Sequence, residues 1–239
     1  MSSITRGLVA GISMLLPDAV FYKKTSSRVI SLTIDDVGGA DTLKILDVID
    51  KFNKNITSKR QRIRATFFVI TDYLDDSQTM LDEILNRGHE IGNHGQKDRR
   101  HASLGTADFK SEIHQAHQIL SEPSGAIIKW FRPGQGFYNK RMIEVLKQMP
   151  GYNDKLALAS MVPLDTRRPT NNPSFTIKYL SQFIFPGSIL LLHGGSEERS
   201  INTANVLSKL LIQLRQKEYE VVTLTQLWES NGKRSTFKL

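Results

Sequence analysis

Apolar and β-branched runs recur along the chain at residues 29–35, 64–70, 89–93, 128–132, 156–162, 188–193 and 219–224. Between several of them the apolar residues return every third or fourth position. In 42–53 these are Leu43, Leu46, Ile49 and Phe52; in 107–120, Phe109, Ile113, Ala116 and Leu120; in 202–217, Val206, Leu210, Ile212 and Leu214. That period lines one face of a helix, whereas short runs rich in Val, Ile and Phe suit strands. Gly88 and Gly187 stand where a helix stops and a strand begins. Strands alternating with helices imply parallel strands joined by helical crossovers. Seven such units fit either a (β/α) barrel or an open doubly wound sheet. No repeat or low-complexity linker divides the chain, so one domain is expected over 29–230, with a loose tail at 231–239. Residues 1–28 form an extension. Its apolar stretch 8–16 follows Arg6 in the crude shape of a signal peptide, but Gly11 and Ser13 interrupt it and no A-x-A pattern follows. It reads as a short helix packing on the domain. No run is long enough to span a bilayer.

Composition narrows the chemistry. The 239 residues contain no cysteine, so disulfides and thiolate metal sites are excluded and any metal must be held by His, Asp or Glu. The net charge of +8 and a pI near 9.6 favour loose association with anionic partners. The basic residues are scattered, however, with their densest runs at 59–64 and 97–100. They do not alternate with aromatic residues in the manner that stacks single-stranded bases. A solvated basic surface accounts for the charge, and no specific nucleic-acid partner is expected.

The chemistry-bearing residues fall at the ends of the expected strands. Asp35 and Asp36 end the first, His94 and Asp98 follow the third, Arg132 ends the fourth, Asp165 follows the fifth and His193 ends the sixth. In a parallel β/α barrel all of these reach one rim, the C-terminal face that carries active sites. Strand alternation points the Asp35 and Asp36 side chains to opposite faces, which calls for different partners, such as a metal for one and an arginine for the other. Taken alone, an Asp-Asp pair before Gly38 and Gly39 is also what a solvated turn looks like. His94 and Asp98, four residues apart, can share one face of a helical turn and bind one divalent ion, with Asp36 completing a His-plus-two-carboxylate set. His101, three residues after Asp98, could be a spare ligand but reads better as a surface residue of a basic loop, His89 reads as a partly buried strand residue, and His114 and His117 as surface or packing residues of a helix. In Arg132-Pro133-Gly134-Gln135-Gly136, the glycines expose backbone N–H groups that suit an oxyanion. A histidine at the rim, His193, suits a general acid.

Together these segments resemble the polysaccharide deacetylase family, which includes chitin, peptidoglycan and nodulation-factor deacetylases. The resemblance covers 29–228. Thr33-Ile34-Asp35-Asp36-Val37 stands in place of the family's Thr-Phe-Asp-Asp-Gly, and Gly88-His89-Glu90-Ile91-Gly92-Asn93-His94 matches the lead-in to its His-x-x-x-His. Arg132 to Gly136 corresponds to Arg-x-Pro-Tyr-Gly, Asp165 to an Asp near a Trp, and Leu190-Leu191-Leu192-His193 to Leu-x-x-His. The departures are Asp98 for the second histidine, Val37 for Gly, Gln135 for Tyr, and Thr166 where Trp is common.

The resemblance implies an α/β fold, a distorted (β/α)7 barrel of TIM-barrel-like form. It implies a de-N-acetylase for glycans containing N-acetylglucosamine, dependent on a divalent metal: zinc first, cobalt or manganese as alternatives. Asp35 would be the catalytic base, oriented by Arg132, and His193 the acid, with Asp165 setting its charge. Asp36, His94 and Asp98 would hold the metal. The Gln135 N–H beside Gly134 would serve the oxyanion, and Leu191 would line the acetyl-methyl pocket. The alternatives are a hydrolase of another non-peptide C–N bond and an inactive carbohydrate-binding relative. The compartment and the oligomeric state stay open.

Overall fold

The computed structural model describes residues 2–230 apart from 59–60, 76, 123 and 168–169. The expected tail at 231–239 and the first two residues of the basic run 59–64 lie outside the described residues. The chain runs α1 (Ser2–Leu15), β1 (Ala19–Val20), β2 (Val29–Val37), α2 (Thr42–Asn53), β3 (Ala65–Val69), α3 (Ser77–Asn86), β4 (Glu90–Asn93), α4 (Thr106–Ser121), α5 (Lys140–Lys147), β5 (Leu156–Ala157), α6 (Pro173–Phe183), β6 (Ile189–His193), α7 (Glu197–Gln216), β7 (Glu220–Val222) and α8 (Leu224–Glu229).

Every pairing between these strands is parallel. β2 is the centre, bonded to β6 along one edge and to β7 and then β3 along the other. β4 pairs with β3 and bridges to Phe131. The Ala157 N–H donates to the Phe131 carbonyl, and Met161 bridges to Leu190 of β6. The wall therefore closes on itself, and the open doubly wound alternative is excluded.

The closure is irregular, and two expected strands shrink for identifiable reasons. The segment 128–132 makes a single bridge, with Asn93 N–H to Trp130 O at 2.9 Å and Arg132 N–H to Asn93 O at 3.0 Å. Pro133 follows and has no N–H to continue the ladder. In 156–162 only β5 is regular, and it pairs with β1. Further on, the Ile189 carbonyl accepts from both Ser160 N and Met161 N, while the Ile189 N–H turns to the Ser160 hydroxyl. A side-chain oxygen has replaced a backbone acceptor, so the ladder breaks there.

All nine residues of β2 are buried, yet its two faces differ. Ile30, Leu32 and Ile34 belong to the layer between barrel and helices, with Ile45 and Ile49 of α2 and Leu207, Leu210 and Leu214 of α7. The alternate residues Ser31, Thr33 and Asp35 form the other face of the strand. There Thr33 and Asp35 both reach Arg132, which lies over the Phe68 ring of the barrel interior. Phe68, Trp130, Ala157, Ile189, Leu224 and Leu227 fill the rest of that interior. β2 thus separates an apolar helix layer from a lumen that turns polar toward its C-terminal end. α1 lies against α6 and buries Val9, while Ile4, Leu8 and Leu15 stay exposed. α7 begins five residues before its expected start at 202, capped by Ser196 with Glu197 and Glu198 in its first turn, and Ile212 is half-exposed rather than core.

α8 is fastened at the opposite end from the aspartates. Glu90 accepts from the Thr66 hydroxyl (2.6 Å), the Thr225 N–H (3.2 Å) and the Thr225 hydroxyl. The Thr66 hydroxyl in turn accepts the Leu224 N–H at 2.7 Å. Glu90→Ala removes a charged acceptor shared by three donors and is expected to cost at least about 2 kcal/mol in urea unfolding. A loss under about 0.5 kcal/mol would show that water replaces the carboxylate without penalty.

Candidate active site

The rim is built around a bulge. Between Ile34 and Val37, β2 advances three residues while β3 advances two, from Phe67 to Val69. The extra residue is Asp36, in the left-handed region at φ 58°. Gly195 makes room for it: a Cβ there would lie 2.7 Å from the Asp36 carbonyl oxygen and 2.8 Å from its Cβ. The bulge cancels strand alternation. The two carboxylates, expected on opposite faces, both turn toward His94, whose Nε2 lies 3.7 Å from Asp35 Oδ2 and 3.4 Å from Asp36 Oδ1.

His94 is oriented from behind. Its Nδ1 lies 2.8 Å from the Arg132 carbonyl oxygen, which can only accept, so Nδ1 carries a proton and Nε2 is the nitrogen turned to the carboxylates. Burial opposes a positive charge on this ring, yet Asp35 and Asp36 raise its proton affinity overall. The space between these groups attracts a cation. The donor chemistry, a neutral imidazole and a carboxylate oxygen, fits a divalent metal. Asp98 does not close the set. It is exposed, and among the described residues no three His, Asp or Glu side chains gather closely enough to hold an ion. Its charge acts on the Tyr73 phenol together with that of Asp36, which puts it on the same side of the rim.

Arg132 is buried and makes four hydrogen bonds. Nη1 donates to Asp35 Oδ1 at 2.5 Å and to Thr33 Oγ1 at 2.8 Å, Nε to Ala157 O at 3.0 Å, and Nη2 to Leu158 O at 3.2 Å. Its guanidinium carbon lies 4.1 Å from the Phe68 ring centre. Across the sheet, His193 is the register partner of Asp35. Asp165 grips it twice, accepting from Nδ1 at 2.7 Å and from the backbone N–H at 3.0 Å. Burial alone would depress the His193 pKa, but the hydrogen bond and charge of Asp165, with Asp35 and Asp36 behind it, raise it to about 8. Leu191, two residues earlier on the same face of β6, is partly exposed.

The loop after Arg132 divides the two candidate oxyanion donors. The Gly134 N–H is taken by His101 Nδ1 at 2.8 Å. Gln135 is exposed, adopts φ 60°, and its N–H makes no hydrogen bond among the described residues. His101 is buried rather than on the surface, lodged against Gly95, where a Cβ would approach its Nε2 to 2.2 Å. His89 is buried, accepts from Ala65 N at 3.1 Å, and has its pKa pushed down to about 4 by burial and by Arg87 and Arg64. Two neighbours of the site were not picked out from the sequence. Tyr73 follows β3 and packs near Gly38 and Gly195, and Arg199 of α7 reaches Asp36.

Residues 22–153, more than half the chain, match the family model for polysaccharide deacetylase. Asp35, Asp36, His94, Asp98, Arg132 and Gln135 lie within that match; Asp165 and His193 lie beyond it. A Bacillus subtilis protein, uncharacterised YlxY, is 23% identical over 91% of this chain, which spans 63% of that protein's length. A peptidoglycan-N-acetylglucosamine deacetylase of Bacillus cereus is 25% identical over 86% of this chain and 70% of its own. Among solved structures, the peptidoglycan N-acetylglucosamine deacetylase Bc1960 superposes with a TM-score of 0.78 at 23% identity, covering 93% of this chain and 98% of that one. A CE4 family pseudoenzyme from Bacillus anthracis gives 0.74 at 20% identity over 91% and 70%. A family 4 acetyl xylan esterase from Clostridium thermocellum, in complex with cobalt, gives 0.71 at 24% over 84% and 90%. These likenesses establish the distorted (β/α)7 barrel.

A folded-state pKa near 8 against an ordinary 6.5 means that the protonated His193 ring stabilises the fold fully below pH 6.5. That contribution is lost as the pH rises through 8. Asp165→Asn removes the dominant raising partner and is expected to lower the His193 pKa by at least about one unit in an NMR titration of its ring. An unchanged titration would show that Asp165 does not set the charge of His193.

Proposed function

Because the chain belongs to the polysaccharide deacetylase family, we propose that it is a metal-dependent hydrolase that removes N-acetyl groups from glycans containing N-acetylglucosamine. The observation that carries this reading is the separation of tasks at one rim. An arginine-bound aspartate and a raised-pKa histidine are neighbours across β2 and β6, with a cation-attracting pair, Asp36 and His94, beside the aspartate.

Asp36 and His94 would hold the divalent metal, with zinc preferred and cobalt or manganese as alternatives, and Asp98 reaching in from its exposed loop. When bound, such an ion lowers the pKa of water toward neutrality and polarises an amide carbonyl. The chain's own residues supply the rest. Asp35 Oδ1 is held by Arg132, so Oδ2 is left to take the proton of the attacking water. The free Gln135 N–H donates to the oxygen on which negative charge develops. Gly134 supports that loop through His101 and does not donate to the oxyanion itself. His193, protonated at neutral pH, gives its proton to the departing amine while Asp165 holds the ring in place. Leu191 offers apolar surface to the acetyl methyl.

A second reading, a carbohydrate-binding relative without activity, is favoured by one observation: among the described residues no three His, Asp or Glu side chains group as a metal site. Acetate release from N-acetylglucosamine oligomers separates the two. The wild-type chain is expected to release acetate, and Asp35→Asn to lower the rate by about 10²- to 10⁴-fold. The wild-type rate should also fall as the pH rises through 8, where His193 loses its proton. No release from any oligomer, or release undiminished in Asp35→Asn, would reject the proposed mechanism.

A further inference from the structure

We infer that Arg199 is a positioning residue that leaves Asp36 a single oxygen for the metal. The inference rests on the metal-site reading above and adds to it a residue from a different element. Each aspartate meets an arginine, Asp35 at 2.5 Å inside the barrel and Asp36 at 3.5 Å nearer the surface. Asp35 gives Oδ1 to Arg132 and turns Oδ2 to His94, whereas Asp36 gives Oδ2 to Arg199 Nη1 at 3.5 Å and turns Oδ1 to His94. Each carboxylate thus has one oxygen occupied by a guanidinium and one facing the cation space. Outer partners of this kind fix the orientation of ligating carboxylates.

Three local features carry Arg199 to that oxygen. Ser196 caps α7, and its hydroxyl accepts the Arg199 N–H at 3.4 Å. The Ser200 hydroxyl hydrogen-bonds Asp41 and ties the first turn of α7 to the loop that follows β2. Gly195 sits against the Asp36 bulge, so the chain enters α7 beside the carboxylate it must serve. An exposed ion pair would contribute little. The Arg199 side chain is 41% exposed, but that of Asp36 is only 10% exposed, so the acceptor is largely shielded from competing water.

A guanidinium near a divalent ion has two opposed effects. Orienting Asp36 strengthens metal binding, whereas like-charge repulsion weakens it. Metal affinity therefore decides the role without any glycan. Chelator-stripped wild-type protein, Arg199→Gln and Arg199→Lys would be titrated with zinc and with cobalt by calorimetry, with thermal unfolding as the check on the fold. The affinity of Arg199→Gln is expected to fall by about 10- to 100-fold, with Arg199→Lys recovering part of the loss. Affinity equal to or tighter than wild type in Arg199→Gln overturns the assignment and leaves the deacetylase reading standing. A wild-type protein that takes up neither metal overturns both.

Discussion

The guanidinium of Arg132, buried inside the barrel, is the group on which the remaining geometry depends. A buried charge is costly unless it is paired and its donors are used. Here every requirement is met from a different part of the wall: Asp35 and Thr33 from β2, Ala157 and Leu158 from the segment after α5, and the Phe68 face from β3. The backbone of the same residue orients His94 through its carbonyl. One position thus fixes the direction of the Asp35 carboxylate, the orientation of the His94 ring and the closure of the barrel between β4 and β5. The site is preorganised by the same contacts that complete the fold.

The bulge at Asp36 is the second constraint. A regular strand would have put the two carboxylates on opposite faces. The inserted left-handed residue brings both to His94 while leaving each with its own arginine. The cost is a non-glycine residue at positive φ, and the neighbouring Gly195 is what lets the backbone pass there. Adjacent aspartates at a strand end are therefore not redundant. One is presented by the strand and the other by the interruption of it.

Much of this was legible in the sequence because the signals are local. The parallel α/β class follows from alternating apolar periods, and the rim positions of Asp35, His94, Arg132 and His193 follow from their places at strand ends. Asp165 and His193 lie outside the segment matched to the family, and it is the fold that sets them beside Asp35. What was not legible depends on contacts between distant segments. The opposite-face expectation for Asp36 failed because a bulge is set by register against β3. His101 read as a surface loop residue because the space left by Gly95 is invisible along the chain. The run 156–162 looked like one strand because nothing local marks Ser160 as a substitute for a backbone acceptor. Arg199 was missed because α7 was expected to start at 202, although Ser196 followed by two glutamates is a helix-start pattern.

The account turns on a cation held at Asp36 and His94 doing work that the side chains alone cannot. The most direct test is acetate release from N-acetylglucosamine oligomers after chelation, with zinc, cobalt or manganese then restored one at a time. The account predicts that chelation abolishes release and that at least one of the three ions brings it back. Release that survives complete chelation would contradict it, because Asp35 and His193 would then be acting without the ion proposed at Asp36 and His94.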